Sequence, residues 1–259
     1  MARPPIDFGT TAGDYAQHRP GFPDAFFDHV RRYGIGVAGQ QVLDIGTGTG
    51  TLARGFARRG CRAVGVDPSP EMLHAAVALT RAAGLGARYL CARAEATGVA
   101  TGVCDVVCAG QCWHWFDRAA AAAEALRVLR PGGHALIGYF TYLAEPGTLG
   151  GVTEELVLRH NPTWPFAGSD GRVPLFVTDL TDQGFEPIDT FEFDLLISFT
   201  HESWRGRLRA CNGVLTLPAE QLAAFDADLA ALLAERYPEP LLVPHRIYGI
   251  LARKPAMPA

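Results

Sequence analysis

Leu43-Asp44-Ile45-Gly46-Thr47-Gly48-Thr49-Gly50 is an apolar run that breaks into three glycines at alternate positions. Gln41 to Ile45 reads as a buried strand. Gly46, Gly48 and Gly50 let the backbone turn tightly and approach a ligand with no Cβ in the way. Thr51 to Arg59 then reads as a helix, so the turn feeds a helix N-terminus. The spacing departs from the dinucleotide fingerprint GxGxxG, because Thr51 stands at the third glycine, and it lacks the GK[ST] of a phosphate-binding loop.

Outward from this loop, strand and helix patterns alternate. Arg62 to Asp67 is a second strand, and Asp67 closes it 19 residues after Gly48. A carboxylate there can accept hydrogen bonds from both hydroxyls of an adenosine ribose; on its own it could equally cap the next helix, as Ser69 can. That helix is expected over Pro70 to Ala83, with Pro70 suited to its first turn and Gly84 to its stop. Strands are expected at Ala87 to Cys91, Cys104 to Ala109 and His134 to Phe140. A helix over Arg118 to Leu129 should stop at Pro131-Gly132-Gly133. Later come a long strand (185–199), helices (201–211 and 218–237) and a last strand (245–254).

This order predicts an α/β fold: a doubly wound, mostly parallel seven-stranded sheet with right-handed crossovers and one late antiparallel pair. Ligands of such sheets lie beyond the carboxyl ends of the strands, at the topological switch point. A single domain over residues 1–259 is expected. Its core is about 36–140, 185–200 and 243–254. A helical cap, from the N-terminus and a C-terminal insertion, is expected at about 10–34, 141–184 and 201–242.

Composition sets limits. With 48% hydrophobic residues among 259 the chain can bury a sizeable core. The formal charge of −4, with no block of lysine or arginine, offers no electrostatic draw toward nucleic acid or an anionic membrane. The first residues lack a charged-then-apolar leader and no apolar run reaches the roughly 18 residues of a membrane span, so the expectation is cytoplasmic. None of the six cysteines forms a CxxC pair; Cys104, Cys108 and Cys112 read as buried free thiols and no metal site is expected.

The motifs taken together resemble the class I S-adenosylmethionine (SAM)-dependent methyltransferases over roughly residues 41–140. Val42 to Gly50 resembles their first motif. Val64 to Leu73 resembles the acidic motif, Ala92 to Glu95 the adenine-side motif, Asp105 to Asp117 the fourth-strand motif, and Leu126 to Gly133 the approach to strand five. The resemblance implies SAM as cofactor and S-adenosylhomocysteine (SAH) as product. Gly46 and Gly48, with Thr47 and Gly50 of the same loop, would lie against the methionine and ribose parts. Asp44 would fix the loop or meet the amine, and Asp67 would hold the ribose. Pro68 and Met72 would flank the adenine, and Ala94 and Glu95 would address its edge. Arg93 stands where the family often has Asp.

A narrower resemblance, to the trans-aconitate-methyltransferase-like or methyltransferase type 11 subgroup, rests on Tyr15 to Pro23 and on Gln111 to Asp117, with Phe22 in place of the usual Tyr. It places Tyr15, Arg19, Gln111 and Trp115 at the cofactor. Arg19 could pair the SAM carboxylate and Trp115 could face the sulfonium. Trp113 and Trp115 are expected on opposite sides of a strand end. His114 is the candidate general base, against a structural role beside the sheet. Trp113, Tyr139, Trp164 and Trp204 are candidates for the acceptor side, against plain cap packing.

Methyl transfer from a sulfonium is a one-step in-line displacement, so alignment and exclusion of water carry much of the rate. A base is needed only for an acceptor that must lose a proton. The expected activity is transfer to an O or N atom of a small-molecule acceptor, by a monomer or homodimer with no nucleic-acid or membrane partner. The alternatives are a SAM-binding protein without methyl transfer and an NAD(P)-dependent oxidoreductase.

Overall fold

The computed structural model describes residues 21–256. The chain divides into two compact units. The larger takes residues 21–140, 173–192 and those from 247 onward; the smaller takes 141–172 and 193–246 among the described residues.

In the larger unit, β1 (Gln41–Ile45), β2 (Arg62–Asp67), β3 (Arg88–Cys91) and β4 (Cys104–Gly110) are strands of one sheet. They alternate with α2 (Thr51–Arg58), α3 (Pro70–Ala82) and α4 (Arg118–Val128), and α1 (Asp24–Arg31) precedes them. The sheet is completed by β5 (Leu129–Tyr142), β6 (Glu186–Phe199) and β7 (Leu241–Arg253), and α6 (Phe176–Thr181) lies in this unit too. The order is β3-β2-β1-β4-β5-β7-β6. Pairs β1–β2, β1–β4, β2–β3 and β4–β5 are parallel. β7 runs antiparallel to β5: Gly132 donates to Lys254 and Lys254 to Gly133 at one end, Leu143 to Pro244 at the other. This is the Rossmann-like sheet that the strand–helix alternation predicts.

Local sequence explains most elements. β1 and β4 are buried almost throughout, as strands covered on both faces must be. Ser69 caps α3 by accepting the Met72 N–H at 3.3 Å, with Pro70 at the first position. Asp117 caps α4 by accepting from Ala120.

Three expectations are corrected. The Pro131-Gly132-Gly133 stop does not delay β5, which begins at Leu129, because the glycines pair with the end of β7. Helix α1 falls within the segment expected as cap but belongs to the larger unit: Phe26, Phe27 and Val30 are buried, and Phe27 stands edge-on to Phe56 at 5.1 Å and fills the space over Gly55. Residues 173–184 also belong there, since Leu180 and Phe185 join its core.

The smaller unit holds α5 (Leu149–His160), α7 (His201–Arg209), α8 (Asn212–Leu215) and α9 (Ala219–Arg236). Its core joins Leu156, Trp164, Trp204, Leu208, Phe225, Leu229 and Leu233. Thr200 and Ser203 form a reciprocal capping box at α7. Arg205 and Arg209 both reach Asp226 on α9. No helix among the described residues is long and apolar enough to cross a membrane.

Candidate functional site

The register decides which residues meet. Ile45 lies opposite Val66 and Asp44 opposite Cys108, so the loop after β1 emerges level with Asp67 and with the end of β4. With β2 and β3 on one side of β1 and β4 and β5 on the other, the β1–β4 boundary is the switch point at which open α/β sheets bind ligands.

The glycine loop is pinned from below. Thr47 donates its main-chain N–H to Val66 at 2.9 Å and its hydroxyl to Asp44 Oδ2 at 2.6 Å. The same oxygen accepts the Ala53 N–H at the start of α2, and Cys108 Sγ lies 3.7 Å from Oδ1. Asp44 is 1% exposed. Burial pushes its carboxyl up to about 7 against the opposing hydrogen bonds from Thr47, Ala53 and Cys108. Of the two roles expected for Asp44, the structure gives it the first: it fixes the loop.

Gly46, Gly48 and Gly50 have φ of 66°, 53° and 81°. At Gly46 a Cβ would stand 2.7 Å from the Phe116 ring and 2.8 Å from Cys112 Sγ, so the turn after β4 leans directly on the loop. At Gly48 a Cβ would meet nothing within 4 Å, which leaves open space over that peptide. Gly48 donates its N–H to Asp67 Oδ2 at 2.9 Å, and Ser69 donates to Oδ1 at 2.9 Å. Burial raises the Asp67 carboxyl above its ordinary range, and these two bonds pull it back. A carboxylate has about four acceptor positions. Two are used here, and two remain for a diol. The ribose and helix-cap readings of Asp67 therefore do not compete: it braces its own turn and keeps acceptor capacity.

On the far side of β2, Met72 is buried and Pro68 lies in the turn that Ser69 closes. Ala94 is buried in a short turn closed by the Ala96 N–H on Arg93. Glu95 accepts the Asp117 N–H at 3.0 Å and pairs with Arg93 at 3.3 Å, so its carboxylate fastens the turn after β3 to the head of α4. Glu124 does the same from α4, accepting from the Thr97 N–H at 2.8 Å and hydroxyl at 2.6 Å while Arg127 holds its other oxygen at 2.7 Å. The Arg127 guanidinium beside it, aided by Thr97, brings the Glu124 carboxyl down to about 2. Sequence pattern alone does not point to Glu124, nor to Tyr89, whose hydroxyl pairs with Thr80 at 2.8 Å and covers Gly50, nor to Cys112 and Phe116 beneath Gly46. Only the loop's need for support could have signalled them.

After β4, Gln111 has a φ of 63°, the one non-glycine with positive φ among the described residues. Its N–H bonds Gly138 and its side-chain amide donates to the Phe140 carbonyl, which hold it in that strained state. Residues Trp113–Trp115 form a single 3-10 turn, not a strand end, and this turn separates the two tryptophans. Trp113 is 2% exposed in the core, with its indole N–H on Asp179 at 2.9 Å; the acceptor-side expectation for it is corrected to packing. Trp115 is half-buried with its ring 4.6 Å from His114. His114 Nδ1 lies 2.7 Å from the Tyr139 hydroxyl. Tyr139 is itself in the core.

In the smaller unit Trp204 is fully buried, with its N–H toward Thr153 at 3.2 Å, and Trp164 packs on Gly213 and bonds Asn212 at 2.9 Å. Both act as core of that unit, because their ring faces are spent on neighbours. Tyr15 and Arg19 lie outside the described residues. Cys61, Cys104, Cys108 and Cys112 are buried free thiols, whereas Cys91 is exposed.

A glycine turn off the first strand faces a carboxylate off the second, beside the β1–β4 switch point of an α/β sheet. Residues 43–137 match the family model described as methyltransferase domain. An uncharacterized methyltransferase of Mycobacterium tuberculosis (strain ATCC 25618 / H37Rv) is 39% identical over 128 residues, 49% of each chain. The chain thus aligns with about half the length of such curated relatives. Among solved structures, an Anaeromyxobacter dehalogenans protein assigned as a type II methyltransferase is 23% identical with a TM-score of 0.64, over 92% of this chain and 99% of that one. A Haemonchus contortus phosphoethanolamine N-methyltransferase 2, in complex with phosphomonomethylethanolamine and SAH, is 21% identical with a TM-score of 0.57, over 96% of this chain and 60% of that one. These likenesses show a Rossmann-like α/β fold, shared with those methyltransferases.

Proposed function

We propose that the protein is a SAM-dependent methyltransferase that transfers a methyl group to an O or N atom of a small-molecule acceptor. The observation that carries the reading is the Asp67 carboxylate, held by Gly48 and Ser69 with acceptor capacity to spare, beside the open space over Gly48. An adenosyl group fits this donor set: its ribose diol needs a paired acceptor and its sugar needs a bare backbone to lie on.

In this reading Gly46, Thr47, Gly48 and Gly50 cradle the cofactor and Asp67 holds the ribose. Pro68, Met72, Ala94 and Glu95 line the adenine end. Glu95 acts through the position of its turn, since its oxygens already serve Asp117 and Arg93. Gln111 shapes the strand-four corner and Trp115 offers a ring face to the sulfonium. Tyr15 and Arg19 would meet the methionine end by the narrower resemblance. When bound, SAM supplies a methyl carbon activated by a neutral leaving group. The protein's own contribution is alignment and exclusion of water.

Isothermal titration with SAM and SAH, against NADH and NADPH, tests the cofactor. Release of SAH across a panel of small acceptors tests the transfer. The expected result is affinity for SAM and SAH only, with acceptor-dependent SAH release. Affinity for a nicotinamide nucleotide instead, or SAM binding with no SAH released from any acceptor, would overturn it.

A further inference from the structure

Resting on that reading, we infer that Asp44 is a selectivity residue: its carboxylate, sealed beneath the glycine loop, favours SAM over SAH through the positive charge by which the two differ. Asp44 is the charged residue of β1, whose other positions are Gln41, Val42, Leu43 and Ile45. Burying a charge is costly unless it is paired. Bracing the loop does not require that charge. The Thr47 hydroxyl and the Ala53 N–H both donate to the same oxygen, Oδ2. On Oδ1 the neighbour is the Cys108 thiol at 3.7 Å. An asparagine would offer its oxygen to both donors and turn its NH2 toward the sulfur. What the carboxylate adds to the site is therefore negative charge, not a hydrogen bond that the loop needs.

The titratable and charged groups acting on Asp44 are Asp67 at the end of β2, Cys108 in β4, Cys112 in the turn after it, Arg54 in α2 and Tyr89 in β3. Burial holds both thiols and the Tyr89 phenol in their neutral forms. Arg54 is the cation of the set, and its guanidinium bonds the Thr49 carbonyl and the Tyr89 hydroxyl. Asp67 adds repulsion between two acids. The field of Asp44 thus extends to the residue assigned to the ribose, and in SAM the sulfonium is joined to that sugar through a single CH2. Both compounds carry a carboxylate and an ammonium, and SAM alone carries the sulfonium. A charge out of water acts over a longer distance than an exposed one. Buried beneath the loop, Asp44 can act on that sulfonium without touching it.

A proton is linked to this preference. Burial leaves the Asp44 carboxyl titrating at about 7 in the unliganded protein. Added positive charge favours its ionised form. SAM binding therefore expels a proton wherever the carboxyl is still neutral, and SAH expels less. The preference for SAM is full above about pH 7 and declines as pH falls through it.

Calorimetric titration of wild type and Asp44→Asn with SAM and with SAH, between about pH 6 and about pH 8.5 and in buffers of differing ionisation enthalpy, reads affinity and protons released together. The wild-type ratio of SAM to SAH affinity should rise by about 3- to 10-fold across that range, the upper figure being one unit of displaced titration. At the upper pH, Asp44→Asn should lose about 3- to 10-fold more affinity for SAM than for SAH. Each ligand's own ionisation is the same against both proteins, so the contrast between the proteins belongs to Asp44. An analogue with a protonated amine in place of the sulfonium should behave as SAM does. Equal losses for SAM and SAH, or proton release unchanged by Asp44→Asn, overturn the inference. Should Asp44→Asn not fold, the 13Cγ resonance of Asp44 in wild type, assigned through its own Cα, serves instead. It should titrate at a lower pH in the SAM complex than in the SAH complex, and a common midpoint overturns the inference. Binding of neither compound removes the cofactor reading and this inference with it, whereas binding of both without these contrasts removes the inference alone.

Discussion

Replacing Asp67 with Asn tests the cofactor site with the least change of shape. The carboxylate receives two main-chain N–H groups, one on each oxygen, from Gly48 and Ser69. Asn keeps one oxygen, so one of those N–H groups must face an NH2. A hydrogen bond to a charged group contributes about 1.5–3 kcal/mol, so the unliganded variant should lose about that much stability. The ribose diol would lose a charged acceptor as well, which lowers affinity for SAH by about 1–3 kcal/mol, roughly 5- to 150-fold. Urea unfolding of the free protein reads the first quantity. Calorimetric titration of the folded variant with SAH reads the second. The two are separable because stability involves only the protein's own N–H groups. A folded Asp67→Asn protein that binds SAH with wild-type affinity would refute the ribose assignment. Wild-type stability would refute the bracing role.

Gly46→Ala should destabilise more than Gly48→Ala. Both carry the left-handed cost of about 1–2 kcal/mol, but only at Gly46 does the new methyl strike Phe116 and Cys112, adding about 1–3 kcal/mol. Gly48→Ala should instead show its loss in SAH affinity, and equal unfolding midpoints for the two variants would contradict this. Asp44, with a folded carboxyl raised from 3.8 to about 7 by burial, contributes stability that is full below the unfolded value and is lost as pH rises through about 7. Unfolding midpoints of wild type, relative to Asp44→Asn, should therefore decline between pH 4 and 8, and parallel profiles would reject the assignment. Trp204→Ala should cost about 3–5 kcal/mol, because a fully buried indole leaves a cavity in the smaller unit's core. A loss under 1 kcal/mol, measured by urea unfolding, would show that the ring is not core.

Gly46, Gly48, Gly50, Asp67, Ser69 and Pro70 could be read without coordinates, because each acts through backbone freedom or a carboxylate and hydroxyl a few residues from the element they serve. The same holds for the strands, whose buried runs and glycine stops are local signals. The start of β5 could not be read this way: Pro131-Gly132-Gly133 looks like a break until the end of β7 pairs with it. Alternation also gave the wrong reason for parting Trp113 from Trp115, since a 3-10 turn turns the chain there.

The amino-acid sequence by itself determined the alternation of strands and helices, the glycine turn and the carboxylate placed to answer it, because these depend on neighbours within a turn or two. Only the tertiary structure decided that Asp44 serves the loop from beneath and that Glu95 and Glu124 fasten the segment after β3 to α4. It alone decided that Trp113, Trp164 and Trp204 are core, and that Tyr139 reaches His114. Those facts rest on pairs far apart along the chain, such as Thr97 with Glu124 and His114 with Tyr139. Sheet register and helix packing bring such pairs together, and no local pattern of residue types encodes either one.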